Sequence, residues 1–367
     1  MQSKVTFSKA VGFRKELNRR VEAYFESESI KQRDNFAMYF KGVICLTWMI
    51  STWAFIIFVP SDSWIKLLGC VVLGISMAAI AFNIGHDANH GGYSNNQNVN
   101  KILSLATDLL GVSSYLWRYR HNVLHHTYTN IVDHDVDIDG EGLVRMSPEQ
   151  EYRWFHRFQQ FYIWILYGFV PLHGFIYDFY VLLIKRNYIN HGIPTPKKSD
   201  LITFFSFKAF WVAYVIGVPL MLGYSPIEVI LGVVTTYMTV GVIMGFVFIL
   251  AHVVDTADFL TPSPETGRID DEWAICQVRT TVDFAPKNQV LNWYLGGLNF
   301  QVVHHLFPHI CHIHYPKLAE IVEEVCGEFG IEYKVHETLA EAIASNYRWL
   351  KAMGTPPKMA EATSGVS

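Results

Sequence analysis

The run Leu67–Gly85, LLGCVVLGISMAAIAFNIG, holds no charged residue and passes directly into His86-Asp-Ala-Asn-His90. A bilayer core of about 30 Å takes roughly 20 helical residues, so this run reads as a spanning helix. Four residues advance about 40° beyond a full helical turn, which puts His86 and His90 on one face, able to share a metal. The chain thus leaves the membrane through a pair of imidazoles. Gly42–Val59 is a second uncharged apolar run, and the PSDSW turn at 60–64 joins the two as an antiparallel hairpin. A second hairpin follows: Leu201–Leu222, broken only by Lys208, then GYSPIE at 223–228, then Val229–Ala251.

Composition agrees with a membrane class. The chain has 367 residues, 51% hydrophobic and 17% charged, against about 25% charged in average soluble domains. A net charge of −4 marks out no polyanionic partner, and no nucleic-acid role is expected. Five cysteines without a CxxC pair make no disulfide framework and suit a reducing compartment. Apolar sequence begins only near Gly42, too late for a secretory signal peptide.

The expected fold is an all-α integral membrane protein with four transmembrane helices in two hairpins, at about 42–59, 65–85, 201–222 and 228–251. Residues 1–41 carry nine Lys/Arg against five acids and read as a cytoplasmic N-terminal segment with a helix around VGFRKELNRRVEAYF. Segments 102–116, with Asp108, and 158–184, with Pro171, His173 and Asp178, are short or broken by polar groups, so they are placed as helices in the interface plane. A cytoplasmic helical cap fills 252–353, closing a membrane domain of 42–353, and 354–367 reads as a flexible tail. The turns between paired helices offer no Lys/Arg apart from Lys66. The opposite side collects Lys101, Arg118, Arg120, Lys185, Arg186, Lys197 and Lys198, and is therefore cytoplasmic. With an even number of crossings, every histidine cluster faces that side.

The second cluster is WRYRHNVLHHTY, Trp117–Tyr128. On a helix His121 and His125 share a face, while His126 is turned roughly 100° from His125. Two imidazoles then converge on one point and a third aims at a neighbour, which suits two metal ions side by side. The third cluster is Gln301-Val-Val-His304-His305. Any one cluster is compatible with ordinary polar histidines. Together, however, windows 86–90, 121–126 and 301–305 hold seven of the 16 histidines. His252, ending the fourth span, joins them at the same level. The expected metal ligands are His86, His90, His121, His125, His126, His252, Gln301, His304 and His305. Asp87 and Asp135 are candidates to receive the second ring nitrogen of a ligand. Oxygen activation needs a redox metal, which favours two iron ions over zinc. The acidic run 133–141 resembles a calcium loop, but Met146 stands where a bidentate Glu is required. HICHIHY (309–315) has no partner cluster and is not expected to bind zinc. No P-loop, GxGxxG or CxxCH motif is present, so electrons must come from outside the chain.

HDANH, HNVLHH and QVVHH resemble the three histidine boxes of membrane-bound fatty acyl desaturases, and a glutamine opening the third box resembles the front-end members. WRYRHNVLHHTYTN, VRMSPEQE, RFQQFYIW, IDDEWAICQVRTT, HHLFPHICHIHYP and IASNYRWL are similar to the cyanobacterial Δ6 acyl-lipid branch, so the resemblance covers nearly the whole chain. It implies a diiron enzyme using O2 and electrons from reduced ferredoxin, acting on linoleoyl chains of membrane glycerolipids to give γ-linolenoyl. It also implies a multi-pass protein of the thylakoid and/or plasma membrane. The sequence has no HPGG motif of the fused cytochrome b5 domain found in many eukaryotic relatives, which fits an external ferredoxin. By similarity His252 matches the additional histidine ligand; Phe248 stands where the acyl-CoA branch has asparagine. A lipid or carotenoid hydroxylase on the same scaffold is the alternative. A histidine-rich metal transporter is remote, because transport sites use ionisable residues inside the bilayer and these four spans hold almost none.

Overall fold

The structure is a computed structural model describing residues 5–357. Helix α1 (Phe13–Ser27) buries Phe13, Leu17, Val21 and Phe25, one face at four-residue spacing. Asn35 caps α2 (Phe36–Phe58), its side chain accepting from Ala37 N. Helix α3 is Ser63–Asn89, and α4 is Gln97–Leu109. Helix α5 covers 114–128. Then follow α6 (Trp154–Lys185), α7 (Lys198–Met221) and α8 (Pro226–His252). The remaining helices are short or amphipathic: α9 (Trp273–Thr280), α10 (Gln289–Leu295), α11 (Gln301–Leu306), α12 (Tyr315–Phe329) and α13 (Leu339–Met353). Five of them, α2, α3, α6, α7 and α8, are long and apolar enough to cross a membrane.

Small residues set how closely these helices approach, as expected where lipid supplies no hydrophobic drive between them. A Cβ added at Gly241 of α8 would stand 2.2 Å from the Tyr167 carbonyl oxygen of α6, and one at Gly74 of α3 would stand 2.6 Å from Thr236 O of α8. Further along, α6 leaves α8 and meets α7, with Phe175 on Trp211 (centroids 4.5 Å) and Phe179 on Phe204 (4.9 Å).

The elements depart from the sequence reading in four places. The expected interfacial helix 158–184 is the longer α6 and is one of the five membrane-length helices. The expected helix 102–116 is instead α4, which stops at Leu109; Gly111 takes φ +92° and Ser113 caps α5, its side chain accepting from Leu116 N. The apolar residues continue through that turn, so hydropathy alone hides the break. The N-terminal helix is not a free solvated one: Phe13 packs edge-on against Phe329 and Arg20 pairs with Glu328 at 2.5 Å, docking α1 on α12. Residues Thr6–Phe7 also pair in parallel with Arg268–Ile269. Of the expected 354–367 tail, Gly354 is packed against the His156 carbonyl, and 358–367 lie outside the described residues.

Lys208, the charge that interrupts the third apolar run, has a structural partner. Its Nζ donates to Asp178 Oδ2 (2.8 Å), Gly111 O (2.7 Å) and Phe175 O (3.1 Å). Asp178 Oδ2 also accepts from Ser113 N at 2.9 Å. One nearly buried ion pair therefore joins α6 and α7 to the residue that starts α5. Removing one partner of a buried pair costs about 3–5 kcal/mol, whereas removing both is often near neutral. Lys208→Met should accordingly lower the thermal unfolding midpoint in detergent, and Lys208→Met with Asp178→Asn should recover most of the loss.

Candidate metal centre

Two widened helical turns bring the histidines together. Residues Ala81–His86 within α3 and Arg118–His125 within α5 are π-helical, a local irregularity that recurs at functional sites. Helices α3, α5, α8 and α11 deliver eight buried or nearly buried imidazoles to one space: His86 and His90, His121, His125 and His126, His252, and His304 and His305.

Their nitrogens fall into groups whose atoms lie within 4.8 Å of one another: His86, His90, His121 and His304; His125, His252 and His305; His126, His304 and His305; and His121, His125 and Asp137. The pairing of His121 with His125 expected on a helix is present, beside Asp137, but each ring also joins a further group: His121 the first box, and His125 the pair His252 and His305. His126 lies between, on His304 (4.7 Å) and His305 (4.4 Å). The wider π turn also aligns residues five apart: His126 Nε2 is 3.3 Å from His121 Nε2.

The hydrogen bonds of these rings have a direction. Nδ1 meets an acceptor on His125 (Asp135, 3.1 Å to both oxygens), His252 (Thr280 O, 3.3 Å), His304 (Tyr315 Oη, 3.4 Å), His305 (Gln277 Oε1, 2.8 Å) and His86 (Asp87 Oδ1, 3.4 Å). On His90, His125, His252, His304 and His305 the other nitrogen, Nε2, is buried without a hydrogen-bond partner; on His126 the unpartnered atom is Nδ1. A buried polar atom left alone costs about 1–3 kcal/mol. Several of them aimed into one space form a donor set that a cation satisfies, and tautomers fixed through Nδ1 leave Nε2 lone pairs to supply it. The residues therefore fit a resident metal.

Electrostatics favour the neutral form in five of these rings. Burial, then the neighbouring imidazoles, push His90, His121, His126, His304 and His305 well below the usual histidine range. His125 goes the other way: burial lowers it, but Asp135 and Asp137 outweigh burial and raise it. Of the two carboxylates anticipated beneath the ligands, Asp135 receives His125 and also Asn130 N (2.9 Å), and Asp87 receives His86 and His312 (2.8 Å). Gln301 is buried at the first position of α11. Cys311 joins no metal-capable group among the described residues, and His314 is held by Lys31 O at 3.0 Å.

Within the acidic run 133–141, Asp137 salt-bridges Arg120 at 2.6 Å and reaches His125 at 3.5 Å. The sequence reading passed over several further supports. Asn130, at φ +52°, donates to the His252 carbonyl (2.8 Å) and so ties the second box to α8. Asp283, 1% exposed, accepts from Val302 N (2.9 Å) and from Tyr333 Oη, holding the start of α11; burial pushes its carboxyl up to about 7. Gln277, Thr280 and Tyr315 receive ring N–H groups from far along the chain, and no local motif marks them.

Residues 62–336 match the family described as Fatty acid desaturase. The chain is 57% identical to the sn-1 linoleoyl-lipid 6-desaturase of Arthrospira platensis, over 97% of this chain and 96% of that one. It is 55% identical to the sn-1 linoleoyl-lipid 6-desaturase of Synechocystis, over 96% and 98%. A more distant relative, the acyl-lipid (8-3)-desaturase of Physcomitrium patens, is 31% identical over 92% of this chain and 71% of its own length.

The depressed histidines make a pH signature for the metal-free protein. Their folded values lie below the unfolded value of about 6.5, so the unfolded state binds more protons as pH falls. The stability they contribute is present above about pH 6.5 and is lost progressively below it. Thermal melts of chelator-treated protein between pH 8 and 5 should show the midpoint falling on the acid side of about 6.5; a flat profile would contradict neutral, buried imidazoles.

Proposed function

The chain belongs to the fatty acid desaturase family, and from that membership we propose that it is a front-end acyl-lipid desaturase. It inserts a cis double bond at Δ6 of linoleoyl chains in membrane glycerolipids, giving γ-linolenoyl. The observation that carries the reading is the convergence of eight imidazoles, with buried unpartnered nitrogens, at the membrane end of α3 and α8. The high identity to two linoleoyl-lipid 6-desaturases supports the position and the substrate. An apolar cavity of about 430 Å³ among the long helices, lined by Met49, Trp53, Met77, Tyr214 and Val233 among others, suits an alkyl chain.

The proposed ligands are His86, His90, His121, His125, His126, His252, His304 and His305, with Gln301, at the start of the helix that carries His304 and His305, as a direct or water-mediated ninth. They would hold two iron ions, which supply the power to oxidise an unactivated methylene with O2. The net reaction removes two hydrogens from adjacent carbons and, with two electrons and two protons, reduces O2 to two waters. The chain's own share is separate from that chemistry. Asp135, Gln277 Oε1 and Thr280 O fix which ring nitrogen carries the proton on His125, His305 and His252, the Tyr315 hydroxyl orients His304, and burial of the rings keeps bulk water from the centre. Reduced ferredoxin is the proposed electron donor, since no redox-cofactor motif occurs in the sequence.

Four crossings, α2, α3, α7 and α8, account for the arrangement best. Helices α3 and α8 both end at the histidines, so α7, paired with α8, begins on that side. Helix α6 then starts and finishes on the same side, lying across α8 and α7 rather than passing through. The basic residues near that end, Lys101 to Lys198, support a cytoplasmic active face, in a thylakoid and/or plasma membrane. Residues 42–353 would then form the membrane unit, with 1–41 as the N-terminal segment, whose helix α1 docks on α12.

Expression in a host that supplies ferredoxin and linoleate, followed by fatty-acid analysis, should show γ-linolenate esterified in glycerolipid. Only hydroxylated products would overturn the reading in favour of a hydroxylase. His126→Ala should leave the expression level intact and abolish turnover; retained activity would remove His126 from the ligand set.

A further inference from the structure

Lys41 lies one turn into α2, at the edge of an apolar run, and is 6% exposed. Its Nζ stands 3.0 Å from His312 Nε2, the acceptor it meets among the described residues, and 5.2 Å from the centre of the Trp293 ring. His312 Nδ1 stands 2.8 Å from Asp87 Oδ2, and His312 N donates to the same oxygen at 3.3 Å. The other oxygen, Asp87 Oδ1, faces His86 Nδ1 at 3.4 Å. His312 is 3% exposed and Asp87 2%.

The chain has only one consistent polarity. An ammonium donates and cannot accept, so His312 Nε2 must be the acceptor. His312 then carries its proton on Nδ1 and donates to Asp87, which must accept as a carboxylate. The free oxygen of Asp87 takes the Nδ1–H of His86, and the His86 Nε2 lone pair is left to face the neighbouring imidazoles. A buried carboxylate and a buried ammonium are thereby paired through one imidazole, which matters because an unpaired charge at these depths is costly.

We propose that Lys41 and His312 are positioning residues for the metal centre, fixing the charge of Asp87 and the tautomer and orientation of His86. The inference rests on His86 being a metal ligand, and it assigns a function to the HICHIHY stretch, whose His312 works one carboxylate away from the site. The link also runs across the fold, since α2 carries no ligand yet reaches the centre by this route. Lys41 and His312 touch neither substrate nor reacting atoms, so the expected effect lies in metal retention rather than in lipid recognition.

The test is anaerobic competition for ferrous iron between a chelator and the purified full-length protein, with iron per chain, apparent KM for linoleoyl lipid and the Mössbauer spectrum as readouts. Removing supports of this kind typically weakens metal binding 10–100-fold. Lys41→Met and His312→Leu should fall in that range, with kcat following iron content, KM unchanged and the spectrum altered. Lys41→Arg, which keeps the charge and the donors, should retain wild-type affinity within a few-fold. Lys41→Met that folds, retains wild-type affinity and gives the wild-type spectrum overturns the proposal. Should Lys41→Met fail to fold, Lys41→Met with Asp87→Asn removes both buried charges. That pair should restore the fold but not the affinity, and wild-type affinity in it overturns the proposal. A wild-type protein that takes up no iron would instead overturn the metal-centre reading itself.

Discussion

Eight imidazoles forced into one water-poor space repel one another's charged forms and leave their lone pairs without donors. That frustration is the constraint on which the rest of the structure depends. Hydrogen bonds within the protein do not relieve it: Nε2 of His90, His125, His252, His304 and His305 and Nδ1 of His126 have no partner. A bound cation relieves all of them together, so folding of this region and metal binding are one linked equilibrium. It also explains the chemistry around the centre: Asp135, the Gln277 amide oxygen and the Thr280 carbonyl are acceptors, placed to take a proton-bearing nitrogen and turn the bare one inward.

Meeting that constraint demands that four segments far apart in sequence arrive within a few ångströms. The membrane helices provide the rigid part. Glycines at 74 and 241 let α3 and α6 seat directly on α8, fixing the level at which His86 and His252 emerge. The two other segments are positioned by polar links. The start of α5 is tied by Asp178 and Lys208, and Asn130 at its far end is tied to the His252 carbonyl. The start of α11 is held by Asp283. Each link is buried, so each is strong only because its partners are complete. The π turns at 81–86 and 118–125 then make the final adjustment of ring direction.

Much of this was legible in the sequence because the signals were local. Apolar runs of membrane length, histidines at four-residue spacing and their placement at the ends of spans gave the hairpins and the eight imidazoles that converge. What was not legible is equally specific. A π turn has no composition of its own, so regular-helix geometry paired His125 with His121 but did not show His126 reaching His121 or His125 reaching His252 and His305. The break at Gly111 was hidden inside apolar sequence. Lys208 read as a flaw in a span because its partner, Asp178, is 30 residues away. The supports of the centre, such as Gln277 with His305, are pairings in three dimensions that leave no spacing to read.

The distribution of charge follows from the same constraint. The inner ring of the centre is made of imidazoles, so it offers a cation lone pairs but no compensating negative charge. The negative charge stands one hydrogen bond further out, on Asp87, Asp135 and Asp137, close enough to stabilise cations electrostatically and too occupied with imidazole N–H groups to displace a ligand. Those carboxylates are in turn balanced from outside, Asp137 by Arg120 and Asp87 by Lys41 through His312. Without these outer cations the buried anions would stand unpaired, which is costly at such depths. A site drawn from four distant segments therefore depends as much on its second ring of charges as on the histidines that the sequence displays.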